Sequence, residues 1–379
     1  MAYKISIYTR NFNNDPSSYY GITQSIRLIR NYVIARRNIV PDRVFNFSNK
    51  RFFKTAFGSK LRLLLLAAIS WNRLFVFFCH DMFRFKPDII VVNRDVFPKF
   101  RPIILFGLYT RLLRKSKVIW RFDDNIFESG EITKNESQVL FEASKIIITN
   151  NIYLRSIIPE RYKNKLAARE SRAMADGDLD SQVVRESLIN KHLSFQNEFR
   201  AIWLGSASGM KYLRTIIPFL DDAAKILQAH KKAMVLYVVS DEPLKIKANY
   251  LIIKNIKWSR ISAVNALYLA HVGLMPLTDT PFTRGKSAFK ITQYKCAGIP
   301  SIASDLPAHR EKLASGDGII VDRINEQAGW QKAIISLALD EKLWLKMSQL
   351  ALEDVEKNHV SAKSRADSYV SIFKEIDNE

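Results

Sequence analysis

The stretch "FRAIWLGSASGMKYLRTIIPFL", residues 199–220, reads as a strand, a turn of small residues and a helix, the unit from which parallel α/β sheets are built. The rhythm continues with strands in "AMVLYVVS" (233–240), "YLIIKNIKW" (250–258), "HVGLMPL" (271–277) and "IPSIAS" (299–304). It also runs ahead of the stretch. "YKISIYT" opens the chain as a strand, and "SSYYGITQSIRLIRNYVI" follows as a helix capped by Ser17 or Ser18. "DIIVVN" (88–93), "KVIWRF" (117–122) and "KIIITN" (145–150) are further strands, the last two separated by a helix near 134–143. Residues 159–199 lose the rhythm and turn polar, which places the interdomain connection there. The expectation is an α/β chain of two Rossmann-like, doubly wound domains, 1–195 and 196–358, facing each other across a cleft. A C-terminal segment, 359–379, carries a helix free to pack back on the N-terminal domain.

The chain has 379 residues, 47% of them hydrophobic, enough to fill two cores. Cys79 and Cys296 stand far apart without ligand spacing, so neither a disulfide framework nor a metal site is expected. The opening "MAYKISIYTR" enters a strand at once, with no charged-then-apolar leader, so a cytoplasmic protein is expected. Lys and Arg number 58 against 37 Asp and Glu, and residues 1–120 hold 22 of the cations against five of the acids. Such a field calls for an anionic surface or substrate. Nucleic acid is not the expected partner, because no recognition helix or stacking platform is present.

Residues 51–86, "RFFKTAFGSKLRLLLLAAISWNRLFVFFCHDMFRFK", combine aromatics, leucines and spaced cations. Arg62 and Arg73 leave ten residues between them, where a bilayer span needs about 20. Two readings stay open. One is an amphipathic helix lying in an anionic membrane interface, on the inner face of the cell membrane; the other is a crossover helix buried against the sheet with its cations solvated.

Open parallel sheets bind ligands at the carboxyl ends of their strands, so the loops there are the places to search. Gly205, Ser206, Ala207, Ser208 and Gly209 form one such loop, where small residues let backbone approach a phosphate. "PFTRGKSAFKITQYKCAGIPSIAS" (281–304) gathers Arg284, Lys286 and Lys290 at the start of a helix, so side-chain cations and a helix N-terminus converge. A diphosphate has the charge and size for that spot.

Together, "VGLMPL", "TRGKSAFKITQYKCAGIPSIAS" and "IWLGSASGMKYL" resemble the donor-binding segments of retaining glycosyltransferases of family 4, whose two domains make the B-type (GT-B) fold. "KWS" (257–259) is similar to a nucleobase-side strand end, and "RFDDNIFE" to an Asp-rich strand end of the first domain, in the same family. The resemblance covers about residues 200–325. It implies a nucleotide-sugar substrate with Arg284, Lys286 and Lys290 around the diphosphate, Gly205 and Ser206 facing the phosphates, and Trp258 near the base. The family carries two Glu separated by seven residues; here Gly285 and Gln293 stand in their places, and a Gln amide still bonds a ribose diol.

The expected activity is hexosyl transfer from a nucleoside-diphosphate sugar, retaining and without metal or other cofactor, to a glycan or lipid-linked acceptor in surface polysaccharide synthesis. The cationic cradle would stabilise the leaving diphosphate. Asp123 and Asp124 are the candidate catalytic carboxylates, with capping or pairing to Arg121 as their alternative use. Tyr20 and Gly21, in the loop after the first strand, would approach the donor from the other domain. His80, His271 and His309 are further candidates for a base, and His271 reads as structural. Two rivals share the cradle: a nucleotide-sugar 2-epimerase and a non-catalytic nucleotide-sugar-binding protein.

Overall fold

The computed structural model describes residues 3–48, 56–97, 101–167, 178–322 and 326–377. The chain divides into two compact bodies, Met1–Arg172 with Ala362–Glu379, and Ala173–Ser361.

In the first body, strands β1 (Tyr3–Thr9), β2 (Tyr32–Asn38), β3 (Ile89–Asn93), β4 (Lys117–Arg121) and β5 (Ser144–Ile148) form one parallel sheet in the order β2-β1-β3-β4-β5. Alternation along β4 divides its residues between two cores: Val118 and Trp120 face one, Ile119 the other. The predicted helix over residues 17–34 is corrected. Asp15, not Ser17 or Ser18, caps the first turn by accepting the Ser18 N–H at 2.9 Å, and the helical run ends at Ile26. Tyr32–Asn38 is instead the edge strand β2, paired with β1 over seven positions. The short apolar run at Tyr32–Ile34 suits either period, and pairing beside β1 decides it.

The C-terminal helix Ala362–Asp377 belongs to the first body. Ile372, Phe373 and Ile376 enter the core beneath β1, β3 and β4, Tyr369 donates its hydroxyl to the Gly21 carbonyl at 3.0 Å, and Lys117 bonds the Ile376 carbonyl at 2.6 Å.

Helix Ala56–His80 runs on through a wider turn, Asp81–Phe85. Ala67, Ser70, Leu74, Phe78 and Asp81 are buried at steps of three, four, four and three, one stripe docked on the body. Its far side is also apolar. Leu61, Leu64, Phe75, Val76 and Phe83 are exposed, as are Ile103 and Ile104 at the start of the neighbouring helix Ile103–Arg114. The segment Lys60–Phe85 has the length and composition of a membrane-crossing helix. The buried stripe, however, ties it to the protein from Ala67 to Asp81.

In the second body, β6 (Glu198–Leu204), β7 (Ala233–Ser240), β8 (Ile252–Lys257), β9 (Val272–Met275), β10 (Ser301–Ser304) and β11 (Gly318–Val321) form a parallel sheet in the order β11-β10-β9-β6-β7-β8. β11 escapes the sequence reading because it is an edge strand that opens on a glycine and is only partly buried over Gly318–Ile320. Phe199, Ala201 and Trp203 of β6 point into one core and Ile202 and Leu204 into the other. Within the polar stretch 159–199, Asp180 caps a helix, Ser181–Ser194, that packs in this second body. Lys191 on that helix is buried and donates to the Ala297 carbonyl at 3.3 Å; burial, with the charge of Arg200, lowers its pKa to about 7.

Candidate functional site

Because every strand of the second sheet is parallel, the loops after β6, β8, β9 and β10 leave by one edge. The chain goes from β6 to β7 and β8 on one side, then returns to β9 on the other, so β6 and β9 bound a topological switch point. The Gly205 loop follows β6 and the segment carrying Arg284, Lys286, Lys290 and Gln293 follows β9. The sheet thus sets these two regions side by side.

The Gly205 loop is tightly specified. A Cβ on Gly205 would stand 2.4 Å from the Trp203 ring, so the glycine is needed by that packing. The Ala207 N–H bonds Asp241 at 2.7 Å, and the Ser206 and Ser208 hydroxyls lie 2.9 Å apart on the surface. A short turn, Ala207–Gly209, then starts helix Met210–Ala229. Asp241, just past β7, was not singled out from the sequence; its position after a strand was the available signal.

After β9, Thr280 caps the short helix Pro281–Arg284 with a reciprocal bond to Thr283. Arg284 doubles back on Asp279 with two bonds of 2.6 and 2.7 Å while its side chain stays 44% exposed. Its charge is neutralised locally, so the three cations of "TRGKSAFK" do not converge equally. Lys286 lies over the Phe282 ring at 4.3 Å. Lys290 sits in the first turn of helix Phe289–Cys296, close enough for its charge to act on His309.

That helix has an unusual entrance. Ala288, its N-cap, adopts the left-handed conformation at φ 52° and brings no capping side chain of its own. A non-glycine residue in this region stores strain of about 1 kcal/mol or more, which marks sites where backbone direction matters. The rest of the helix is clamped. Tyr294 lies against Gly273 of β9, where a Cβ would come within 2.2 Å of the ring, and its hydroxyl bonds the Leu274 carbonyl at 3.1 Å. Lys295 is buried between Asp317 at 3.1 Å and Asp354 at 2.8 Å. Gln293 is buried on this helix. Trp258, 42% exposed, stands just past β8 with its backbone N–H on the Ser240 carbonyl at 2.8 Å.

In the first body, Asp123 and Asp124 follow β4. Asp123 is buried, accepts the Ser17 hydroxyl at 2.7 Å, and lies 3.6 Å from Arg121 and 3.7 Å from Arg94. Burial alone would raise its pKa, but Arg121, Arg94 and Ser17 outweigh it and hold the carboxylate below the usual range. Asp124 pairs with Arg94 at 3.3 Å and keeps more exposure. Arg94, itself at φ 67°, also reaches Glu131 at 3.0 Å. Burial disfavours its charge, yet Asp124, Asp123 and Glu131 together raise its pKa. Gly21 makes room for Arg121: a Cβ there would meet the guanidinium at 2.3 Å. Tyr20 is buried edge-on to Tyr19, with ring centres 5.0 Å apart. Arg94, Ser17 and the buried Arg365 of the C-terminal helix were not found from sequence, since their convergence arises only when separate strand ends meet.

Of the histidines, His271 is structural. Its Nδ1 accepts the Arg200 N–H at 2.9 Å, Nε2–H donates to the Lys191 carbonyl at 3.0 Å, and the ring stacks on Phe199. His80 lies beside Arg37 and Asp81. His309 is buried, its Nδ1–H bonding the Ser304 carbonyl at 2.7 Å. Among the described residues no cluster of three or more His, Cys, Asp or Glu has the spacing of a metal site.

No protein-family model matches the chain, and no curated protein matches it in sequence. Solved structures do match in fold. HepE of Anabaena, in complex with UDP and glucose, is 10% identical with a TM-score of 0.61, covering 98% of this chain and 100% of its own. A glycosyltransferase of Rickettsia africae is 14% identical with a TM-score of 0.63, covering 99% and 98%. UDP-GlcNAc 2-epimerase of Neisseria meningitidis, bound to UDP-GlcNAc, is 10% identical with a TM-score of 0.53, covering 99% and 100%. At such identities the likeness shows the fold: two parallel-sheet α/β domains of the GT-B class.

Burial lowers the His309 pKa to about 4 and, with the Lys290 charge, outweighs the bond to Ser304; burial and Arg200 lower that of His271 to about 3. The unfolded chain therefore binds more protons below about pH 6.5, and stability falls as pH drops from there through 4. Urea midpoints measured from pH 7 to 4 should decline, and His309→Gln should flatten part of that slope. An unchanged slope would show that His309 is not held neutral.

Proposed function

We propose that this protein is a glycosyltransferase that takes a hexosyl group from a nucleoside-diphosphate sugar bound on the second body. The observation that carries this is the N-terminus of helix Phe289–Cys296, entered through Ala288 in the left-handed conformation, carrying Lys290 and adjoining the Gly205 loop at the switch point. Backbone N–H groups and an ammonium there suit a diphosphate. Trp258 offers an exposed ring to the base, and Gln293 an amide to the ribose. Lys290 and Lys286 take the principal diphosphate roles; Arg284 joins them only by leaving Asp279. In the reaction the sugar C1–O bond breaks with its electron pair going to the diphosphate. The acceptor oxygen bonds C1, and the acceptor proton passes to the departing phosphate. In this reading transfer retains configuration and uses no metal, because cations and helix dipole stabilise the leaving charge. Asp124 is the carboxylate of the pair with the exposure to meet a substrate; Asp123 positions the strand ends.

A thermal-shift screen against UDP, GDP, dTDP, ADP and CMP tests the donor site. At 100 times its dissociation constant the right nucleotide adds about 2.7 kcal/mol of stability. The shift should appear in wild type and vanish in Lys290→Ala; no shift with any nucleotide while both proteins are folded refutes the site. Turnover of donor without acceptor then separates an enzyme from a sensor, and a changed sugar still attached to nucleotide would identify the epimerase.

The acceptor is, in this reading, a lipid-linked glycan used in surface polysaccharide synthesis, met at the inner face of the cell membrane. The exposed apolar side of helix Ala56–His80 and the cationic composition of residues 1–120 support an interfacial role. Flotation with vesicles containing phosphatidylglycerol should capture the protein at low salt, less at 1 M salt, and less again for Leu64→Glu/Val76→Glu. Indifference to vesicles at low salt removes the membrane role.

A further inference from the structure

Beside the inner face of the apolar helix, the first body holds a cavity of about 470 Å³, the size of a small-molecule site. It lies where β1, β2, β3 and β4 end. Its two halves differ in chemistry. Arg10 and Asp15 after β1, Asp95 after β3, Glu131 after β4, and Arg62 make the polar half. Val40, Leu63, Leu66 and Phe97 belong to the apolar half, Leu63 and Leu66 coming from helix Ala56–His80.

Asp95 is the informative group. Its side chain is more than nine-tenths buried, yet it lines the cavity, and the Arg10 guanidinium stands at 3.6 Å, beyond hydrogen-bond length. Behind it lies Glu136, wholly buried, accepting the Val96 N–H at 2.8 Å. Burial, with Asp95 adding to it, pushes the Glu136 pKa up to about 8. A carboxyl group that lines a cavity, as Asp95 does, accepts hydroxyl protons well. Carboxylates also outnumber guanidiniums on the cavity wall, three to two, which disfavours a phosphate there.

We infer that this cavity binds the acceptor as an uncharged, hydroxyl-rich sugar attached to an apolar chain, with a sugar hydroxyl on Asp95 and the start of the chain against Leu63 and Leu66. The inference rests on the glycosyltransferase reading with its lipid-linked glycan acceptor, and adds where that acceptor is held and that the sugar recognised there is uncharged. Leu63 lines the cavity while Leu64, its neighbour, is among the most exposed leucines, so one helix contributes to both the cavity wall and the apolar outer surface.

The probe is monomeric n-dodecyl β-D-maltoside below its micellar concentration, with maltose and dodecyl phosphate as comparisons, titrated calorimetrically into the full chain. One maltoside should bind per chain, at least tenfold more tightly than either comparison. Asp95→Asn should weaken it about tenfold, the scale of a hydrogen bond to a charged group. Leu63→Glu, at a position 56% exposed, should weaken it similarly. Val76→Glu, on the outer face, should leave it unchanged. Tighter binding of dodecyl phosphate, many maltosides per chain, or equal loss in Val76→Glu would overturn the inference. The nucleotide screen reads the donor reading separately: nucleotide binding without maltoside binding sinks only the cavity assignment. Maltoside binding that needs Asp95, without any nucleotide binding, keeps the cavity and sinks the donor site.

Discussion

The contact of Tyr294 with Gly273 sets the geometry of the second body's candidate site. β9 carries no side chain at that point, so helix Phe289–Cys296 lies directly on the strand, with the Tyr294 hydroxyl tied to the next carbonyl. Lys295, between Asp317 and Asp354, fixes the same turn from behind. A buried ion pair of this kind contributes less net stability than its Coulomb energy suggests, but removing one partner is costly, so it holds the helix to one position. With its far end fixed, the helix cannot relieve the strain at Ala288 by tilting. Its N–H groups and Lys290 are thereby held where the chain turns out of β9.

The first body solves a different problem, that of packing cations where its strands end. Arg94, Arg121 and Arg365 lie in or against its interior; Asp123, Asp124 and Glu131 pair with Arg94, Asp123 also faces Arg121, and burial lowers the Arg365 pKa. Gly21 provides the space for Arg121, and the C-terminal helix closes over this corner through Tyr369. Asp123 is thus held in place by its partners, which suits positioning better than proton transfer. The neighbouring cavity has the opposite character: Asp95 is dry on one side and open on the other.

Much of this was legible in the sequence. Buried parallel strands announce themselves as apolar runs, and β1, β7 and the helix Lys134–Ala143 appear with the limits read from them. Tyr32–Asn38 was misread because an edge strand is half solvated and lacks a distinctive period. The segment Pro281–Ser304 gave the cations and the helix start, but composition cannot say that Arg284 turns onto Asp279 five residues earlier. Helix Ala56–His80 left two readings open, and the structure shows why: one stripe is docked while the opposite face stays apolar and exposed. Asp95 and Glu136 are 41 residues apart in the chain, and no local pattern joins them.

The most direct test of the donor site is chemical. Lysines of the native protein would be acylated briefly and read by mass spectrometry, alone and with each of UDP, GDP, dTDP and ADP in turn. Lys290 should be protected several-fold by one of them, with Lys225 on helix Met210–Ala229 unaffected by any. A nucleotide that binds by calorimetry yet leaves Lys290 as reactive as before would place the diphosphate elsewhere and contradict the role given to helix Phe289–Cys296.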